Sequence, residues 1–280
     1  MAIASDIPRG PVHASLLFYE APPDGSAPYD YVGTPPVGET QQNFSQTSQT
    51  VHILDIRGRE DSFCLKVDGF QTVSVSNVDS HDNVDFLSDD SIRKTYYPQV
   101  QHLLLDQIPG ATKVTLFDHT IRRSSPDAAR GPVTAVHADQ TARSGPWRVH
   151  RHDPDDADAL LTKRVRIINV WRPLNGPVRG HPLALASLTS VASDDVVPVE
   201  HRYPDRIGET AAIRYNSGQQ FYYWSGMNND EWLLIQCYDS ATAEDDRVSG
   251  VPHAAFVDER TDPAARYRES IEVRAIVYGG

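Results

Sequence analysis

The chain is built from short apolar runs, each closed by a turn that carries proline or glycine, and this rhythm constrains the fold more than any other feature. Twenty prolines and seventeen glycines punctuate the 280 residues. Runs at 113–120, 133–139, 164–172, 183–191, 209–215, 219–224, 232–238, 253–257 and 270–278 read as strands. The last alternates with period two: Ile271, Val273, Ala275 and Val277 fall on one face, Ser270, Glu272 and Arg274 on the other. No strand–helix–strand alternation recurs, which argues against a parallel α/β fold. The expected class is mainly β.

The first 110 residues read differently. Residues 1–50 are rich in Pro, Gly, Ser, Thr and Gln around one strand at 14–19, and are expected to wrap the core as an extended arm. Two strands follow at 51–56 and 63–67. A helix is expected from Ser88, a ready N-cap, to about Ile108, with the stripe Ile92, Tyr96, Val100, Leu103 and Leu104 and a kink at Pro98. We expect one domain over 1–280, with 1–110 as arm, strands and helix and 111–280 as the β core.

The formal net charge of −12 argues against a nucleic-acid or anionic-membrane binder. The acidic stretches 153–158 and 244–246 read as solvated loops. No run reaches the ~20 apolar residues of a membrane span. The N-terminus carries no charged-then-apolar signal segment. The two cysteines, Cys64 and Cys237, lie in apolar, strand-like surroundings and form no disulfide framework. A cytoplasmic protein is expected.

The candidate chemistry begins at His137-Ala138-Asp139, near the end of the strand at 133–139. Residues i and i+2 of a strand share a face, so an imidazole and a carboxylate can meet one ion. A two-histidine, one-carboxylate site leaves positions of an Fe(II) open for dioxygen and a bidentate cosubstrate. By counting alone the motif is weak, since a chance His-x-Asp arises roughly once in such a chain. A third ligand is needed. His150 and His152 read as surface loop, His181 sits in a turn, and His201 lies between charged neighbours. His253 heads a late apolar strand, and a closed antiparallel barrel brings early and late strands together; it completes the expected metal set. A cosubstrate with two carboxylates also needs a cation. Arg268, Ser270 and Arg274 share strand parity beside the last strand, and either arginine could serve.

These residues carry a resemblance. VHADQT (136–141), NVWRPL (169–174), PHAAF (252–256) and RESIEVR (268–274), together with LFDHTIRR (116–123) and FYYWSGMNNDEWLLIQCYDS (221–240), resemble a fungal family of asaB-type hydroxylase/desaturases. The family includes gibberellin desaturase-like and cephem-methoxylase-like proteins. The resemblance covers about residues 110–278. It implies a double-stranded β-helix (jelly-roll, cupin-like) and an Fe(II)/2-oxoglutarate-dependent dioxygenase of secondary metabolism. It also implies His137, Asp139 and His253 as iron ligands, with Arg268 and Ser270 on 2-oxoglutarate.

Arg122, Arg172, Tyr222 and Trp224 are candidate substrate contacts. The expected partners are a small-molecule substrate and O2. The aromatic strand at 221–240 suggests a homodimer. The sequence leaves hydroxylation, desaturation and oxidative cyclisation open. Rival readings are a non-redox isomerase or cyclase, a ligand-binding protein on the same barrel, and an iron oxidase that uses no 2-oxoglutarate.

Overall fold

A computed structural model describes residues 7–75, 84–243 and 248–280. The acidic run 244–246 and the first six residues of the N-terminal segment lie outside them. Two sheets dominate. The larger has nine strands in the order β1 (Val12–Glu20), β3 (Ser45–Asp55), β11 (Phe221–Tyr223), β8 (Leu183–Ala186), β13 (His253–Ala255), β6 (His137–Ala138), β10 (Ile207–Ile213), β9 (Val196–Arg202) and β2 (Tyr29–Tyr31). The smaller has five, in the order β4 (Phe70–Ser74), β12 (Glu231–Asp239), β7 (Val165–Pro173), β14 (Glu269–Gly279) and β5 (Ala111–Arg123). Apart from the β9–β10 pair, consecutive strands are not neighbours in either sheet, the connectivity of a jelly-roll, in agreement with the expected double-stranded β-helix.

The alternation of β14 decides what faces what. Ile271, Val273, Ala275 and Val277 are fully buried under a helix on the outer face of the five-stranded sheet. Ser270, Glu272 and Arg274 turn to the opposite face, toward the nine-stranded sheet. The covering helix begins with α1 (Asp89–Ser91), passes through one π-helical turn at Ile92–Tyr96 and continues as α2 (Tyr97–Gln107). The Ser88 hydroxyl accepts the Ser91 N–H at 3.3 Å, as an N-cap should. Pro98 lacks an N–H, and the wide turn stands directly before it. Ile92, Tyr96, Val100 and Leu104 pack onto the β14 row.

Several local expectations are corrected. Residues 63–67 form a turn, held by Cys64 O accepting the N–H groups of Val67 and Asp68, and the strand starts at Phe70 after Gly69 at φ +77°. Cys64 is therefore exposed, whereas Cys237 is buried. His150 and His152 lie on a helix, α3 (Ser144–His152), where His152 stacks on Phe117 at 4.7 Å. β2 and β9 are additional strands; β9 carries Pro198, which hid it in the sequence. The expected strand at 14–19 is β1, and the segment 1–50 adds β2 and the first half of β3 to the sheet rather than only wrapping the core. The aromatic run 221–240 yields β11 and β12, both interior to their sheets, so neither offers an edge for a second chain.

Candidate metal centre

His137 and His253 are direct partners across the β6–β13 pairing, and their ring centroids lie 4.5 Å apart. Each ring is oriented by the same device. His137 Nδ1 bonds the carbonyl of Ala135, and His253 Nδ1 bonds that of Val251, both at 2.9 Å. A carbonyl only accepts, so Nδ1 carries the proton and Nε2 presents its lone pair. Asp139, two residues after His137, brings Oδ1 to 3.5 Å from His137 Nε2. Ligand atoms of the three side chains all lie within 4.8 Å of one another, which fits a single ion.

The five-stranded sheet fixes the carboxylate. Asn169 on β7 is fully buried and donates Nδ2–H to Asp139 Oδ2 at 2.5 Å. Cys237 Sγ approaches the same oxygen at 3.7 Å, and Arg274 Nε stands 3.8 Å from it. Oδ2 is thereby occupied from one side while Oδ1 faces the histidines. Burial raises the Asp139 carboxyl, but His137, Arg274 and His253 outweigh it and hold the group well below the usual carboxylate range. Burial likewise depresses His137, but the bond to Asp139 prevails and holds it above an ordinary histidine. His253 is pushed down to about 4 by burial and by His137.

Two cavities meet at this cluster. The small one, about 30 Å³, is lined by His137, Asp139, His253, Trp171, Arg268 and Glu272 among others. Arg268 is buried beside it. Its NH1 donates to the His181 carbonyl at 2.7 Å, its guanidinium lies over Trp171, and its Nε has no partner. Burial, with Arg122 nearby, lowers its pKa to about 10. Among the described residues no carboxylate reaches it within 4.0 Å. It is a desolvated cation with no matching carboxylate among the described residues. Ser270 lies buried one pleat further along β14, paired across to Arg122. Arg274 differs: it is bound to Glu272 and to Asp118, the latter at 2.9 Å, so its charge is already matched within the protein.

The large cavity, about 490 Å³, shares His137, Asp139, Arg122 and Arg274 with the small one. Other parts of its wall come from β1, β2, β3, β5, β9 and β10, the loop before β6, and α3. Of the candidate substrate contacts, Arg122 lines this cavity. The other three candidate substrate contacts do not. Arg172 shares parity with Ile168 and Val170 and points to the outer face, where Phe86, Tyr96 and Trp232 surround it at 5.1–5.3 Å. Tyr222 packs on Phe63 and Phe70. Trp224 is buried under Arg57 and donates Nε1–H to Glu60 at 3.0 Å. His201, passed over in the sequence for its charged neighbours, lines the large cavity and bonds Thr210 at 2.8 Å. Its i+2 parity with Val199 was the available signal. Arg148 and Tyr203 also line the cavity and carried no sequence signal.

Comparisons with known proteins agree with this geometry. A family model described as an oxidoreductase/YMDC permease-like domain matches residues 16–278. No helix among the described residues is long and apolar enough to cross a membrane. Hydroxylase/desaturase poxK of Penicillium oxalicum is 34% identical, over 97% of this chain and 92% of its own length. The Fe(II)/2-oxoglutarate-dependent dioxygenase nvfI of Aspergillus novofumigatus is 31% identical, over 95% of this chain and 96% of its own. A solved structure of the iron and alpha-ketoglutarate-dependent endoperoxidase NvfI superposes with a TM-score of 0.85 at 30% identity, covering 98% of this chain and all of the other. The chain belongs to the fungal hydroxylase/desaturase family that these relatives represent.

Proposed function

We propose that this protein is an Fe(II)/2-oxoglutarate-dependent oxygenase that oxidises a small-molecule secondary metabolite at the junction of its two cavities. The observation that carries this reading is the cross-strand pair His137–His253 closing on Asp139, with the unmatched Arg268 in the adjoining small cavity. His137, Asp139 and His253 would hold the iron. Arg268 would hold the far carboxylate of 2-oxoglutarate, with Ser270 as its neighbour on β14. When bound, the iron and 2-oxoglutarate would activate dioxygen, the oxidant that breaks a substrate C–H bond while 2-oxoglutarate goes to succinate and CO2.

The chain's own residues set the conditions. The carbonyls of Ala135 and Val251 fix both imidazoles in the tautomer that offers Nε2. Asn169 holds Oδ2 of Asp139 and leaves Oδ1 for the ion. Trp171, Leu183 and Ala255 line the small cavity and limit water around the cosubstrate end. Arg122 stands on the boundary and can reach either ligand. The large cavity presents the substrate to His137 and Asp139 but not to His253, so the reacting carbon approaches from that side. The whole chain acts as one domain, because the N-terminal strands build the substrate wall.

The test is direct. Anaerobic addition of Fe(II) and 2-oxoglutarate gives a visible charge-transfer band in the wild type. The band is absent in His253→Ala and weakened in Arg268→Gln. Under air the wild type forms succinate. A wild type with no bound iron and no succinate above the His137→Ala background overturns the reading.

A further inference from the structure

The large cavity carries more positive charge than the oxygenase reading uses. Arg122, Arg130 and Arg148 line it, and among the described residues no carboxylate lies within 4.0 Å of any of them. Their protein contacts are sparse. Arg122 NH1 donates to the Gly131 carbonyl at 3.0 Å, and Arg130 NH1 meets Thr120 Oγ1 at 3.4 Å. Arg148 Nε reaches Gln140 Oε1 at 3.4 Å while its guanidinium lies over Phe117 and Trp147. The terminal nitrogens of Arg148 meet no acceptor among the described residues. Burial lowers the pKa of both Arg122 and Arg148, the mark of partly desolvated cations.

The charges do not balance without a ligand. Five arginines line the two cavities: 122, 130, 148, 268 and 274. They face Asp30, Asp118, Asp139 and Glu272. A divalent ion and a dicarboxylate cosubstrate cancel each other, so one positive charge remains. The same cavity is also lined by Leu17, Phe44, Val199 and Ala211, with the polar Gln42, Gln46 and His201 among them. Unmatched cations in a cavity that also offers apolar side chains suit a molecule with one ionised acid on an apolar skeleton, and the volume suits a drug-sized ligand.

We propose that the substrate is such an acid, its carboxylate or equally ionised group held by Arg148, with Arg130 at the mouth of the cavity. This rests on the reading of the large cavity as the substrate side. Arg148 is chosen because it opens only to the large cavity, whereas Arg122 is shared with the small one. The unpaired guanidinium costs stability in the free protein, and a bound anion offsets that cost.

The experiment is calorimetric titration of the whole, metal-free protein with matched pairs of probes: 2-naphthoate, diphenylacetate and decanoate, each against its neutral carboxamide. At least one acid is expected to bind about 10-fold or more tightly than its amide. Arg148→Gln and Arg148→Met should reduce that preference to about 2-fold while leaving amide binding and the circular dichroism spectrum unchanged. Arg130→Gln should reduce it less. Arg268→Gln should keep the preference, which separates this site from the cosubstrate site. Equal binding of every acid and its amide, absence of binding included, overturns the proposal. So does a preference that survives in a folded Arg148→Gln protein. The titration uses neither iron nor 2-oxoglutarate, so its failure leaves the oxygenase reading standing, and failure of the oxygenase assays leaves this result interpretable.

Discussion

His137 and His253 face each other as cross-strand partners although 116 residues separate them, each ring tethered through Nδ1 to the carbonyl two residues before it. The β6–β13 pairing therefore brings together two of the three side chains of the candidate metal centre. Preorganisation of this kind makes metal binding a direct addition to fold stability, since the unfolded chain holds no such site.

Metal addition should accordingly raise Tm. A free-ion concentration of about 100 times Kd stabilises by about 2.7 kcal/mol. Thermal unfolding with Fe(II) under argon, or with Co(II) or Zn(II) as inert substitutes, reads the effect. His253→Ala and Asp139→Ala should abolish the shift, and chelation should reverse it in the wild type. A Tm rise of equal size in His253→Ala would place the ion elsewhere.

Asn169 should govern affinity without being a ligand. Its Nδ2–H holds the Asp139 oxygen that faces away from the histidines. Loss of an outer partner of a metal ligand commonly weakens binding about 10–100-fold. Asn169→Leu is expected in that range by competitive chelator titration, with Asn169→Ser closer to the wild type. An unchanged metal Kd in folded Asn169→Leu would assign Asn169 to packing alone.

Arg268 and Arg274 should separate cleanly. Arg268→Gln removes a buried cation that no carboxylate among the described residues matches, so 2-oxoglutarate affinity should fall by about 30-fold, the low end for truncating a buried charged partner. Arg274→Gln strands Glu272 and Asp118, and breaking a buried pair costs about 3–5 kcal/mol. Its main effect should be a lower Tm. Cosubstrate titration and thermal melts on both variants decide the matter; a large cosubstrate defect in Arg274→Gln at unchanged Tm would reverse the assignment.

That His137, Asp139 and His253 come together was legible because strand parity reports on side-chain direction. His137 and Asp139 share a face by i+2 spacing, and the late strand at His253 lies beside them once the sheet order is known. The two arginines were not separable, because parity places Arg268 and Arg274 on one face. Only the cross-strand partner Asp118 shows which charge is already satisfied. Arg172 was misplaced although parity with Ile168 and Val170 was available; its guanidinium is stabilised by three aromatic rings, a solution no linear pattern announces. α3 was hidden because Ser144, Gly145 and Val149 are its buried residues, too few apolar groups to mark a face. With it went Arg148.

The pH dependence of the metal-free protein carries the last test. His253 has a folded pKa of about 4 against an ordinary 6.5, because burial and His137 disfavour its charged form. Between these values the unfolded chain binds the proton and the folded one does not. Stability therefore falls as pH drops from about 6.5 toward about 4, by at most about 3 kcal/mol. His137 acts with the opposite sign: its raised pKa contributes stability that is full below 6.5 and lost as pH rises through the folded value. The two are separated by difference. Urea unfolding of wild type and His253→Gln should show a slope against pH in the acid range that is steeper in the wild type. Parallel curves would mean that His253 takes its proton as readily in the folded chain as in the unfolded one, and that its ring is not held neutral for an ion.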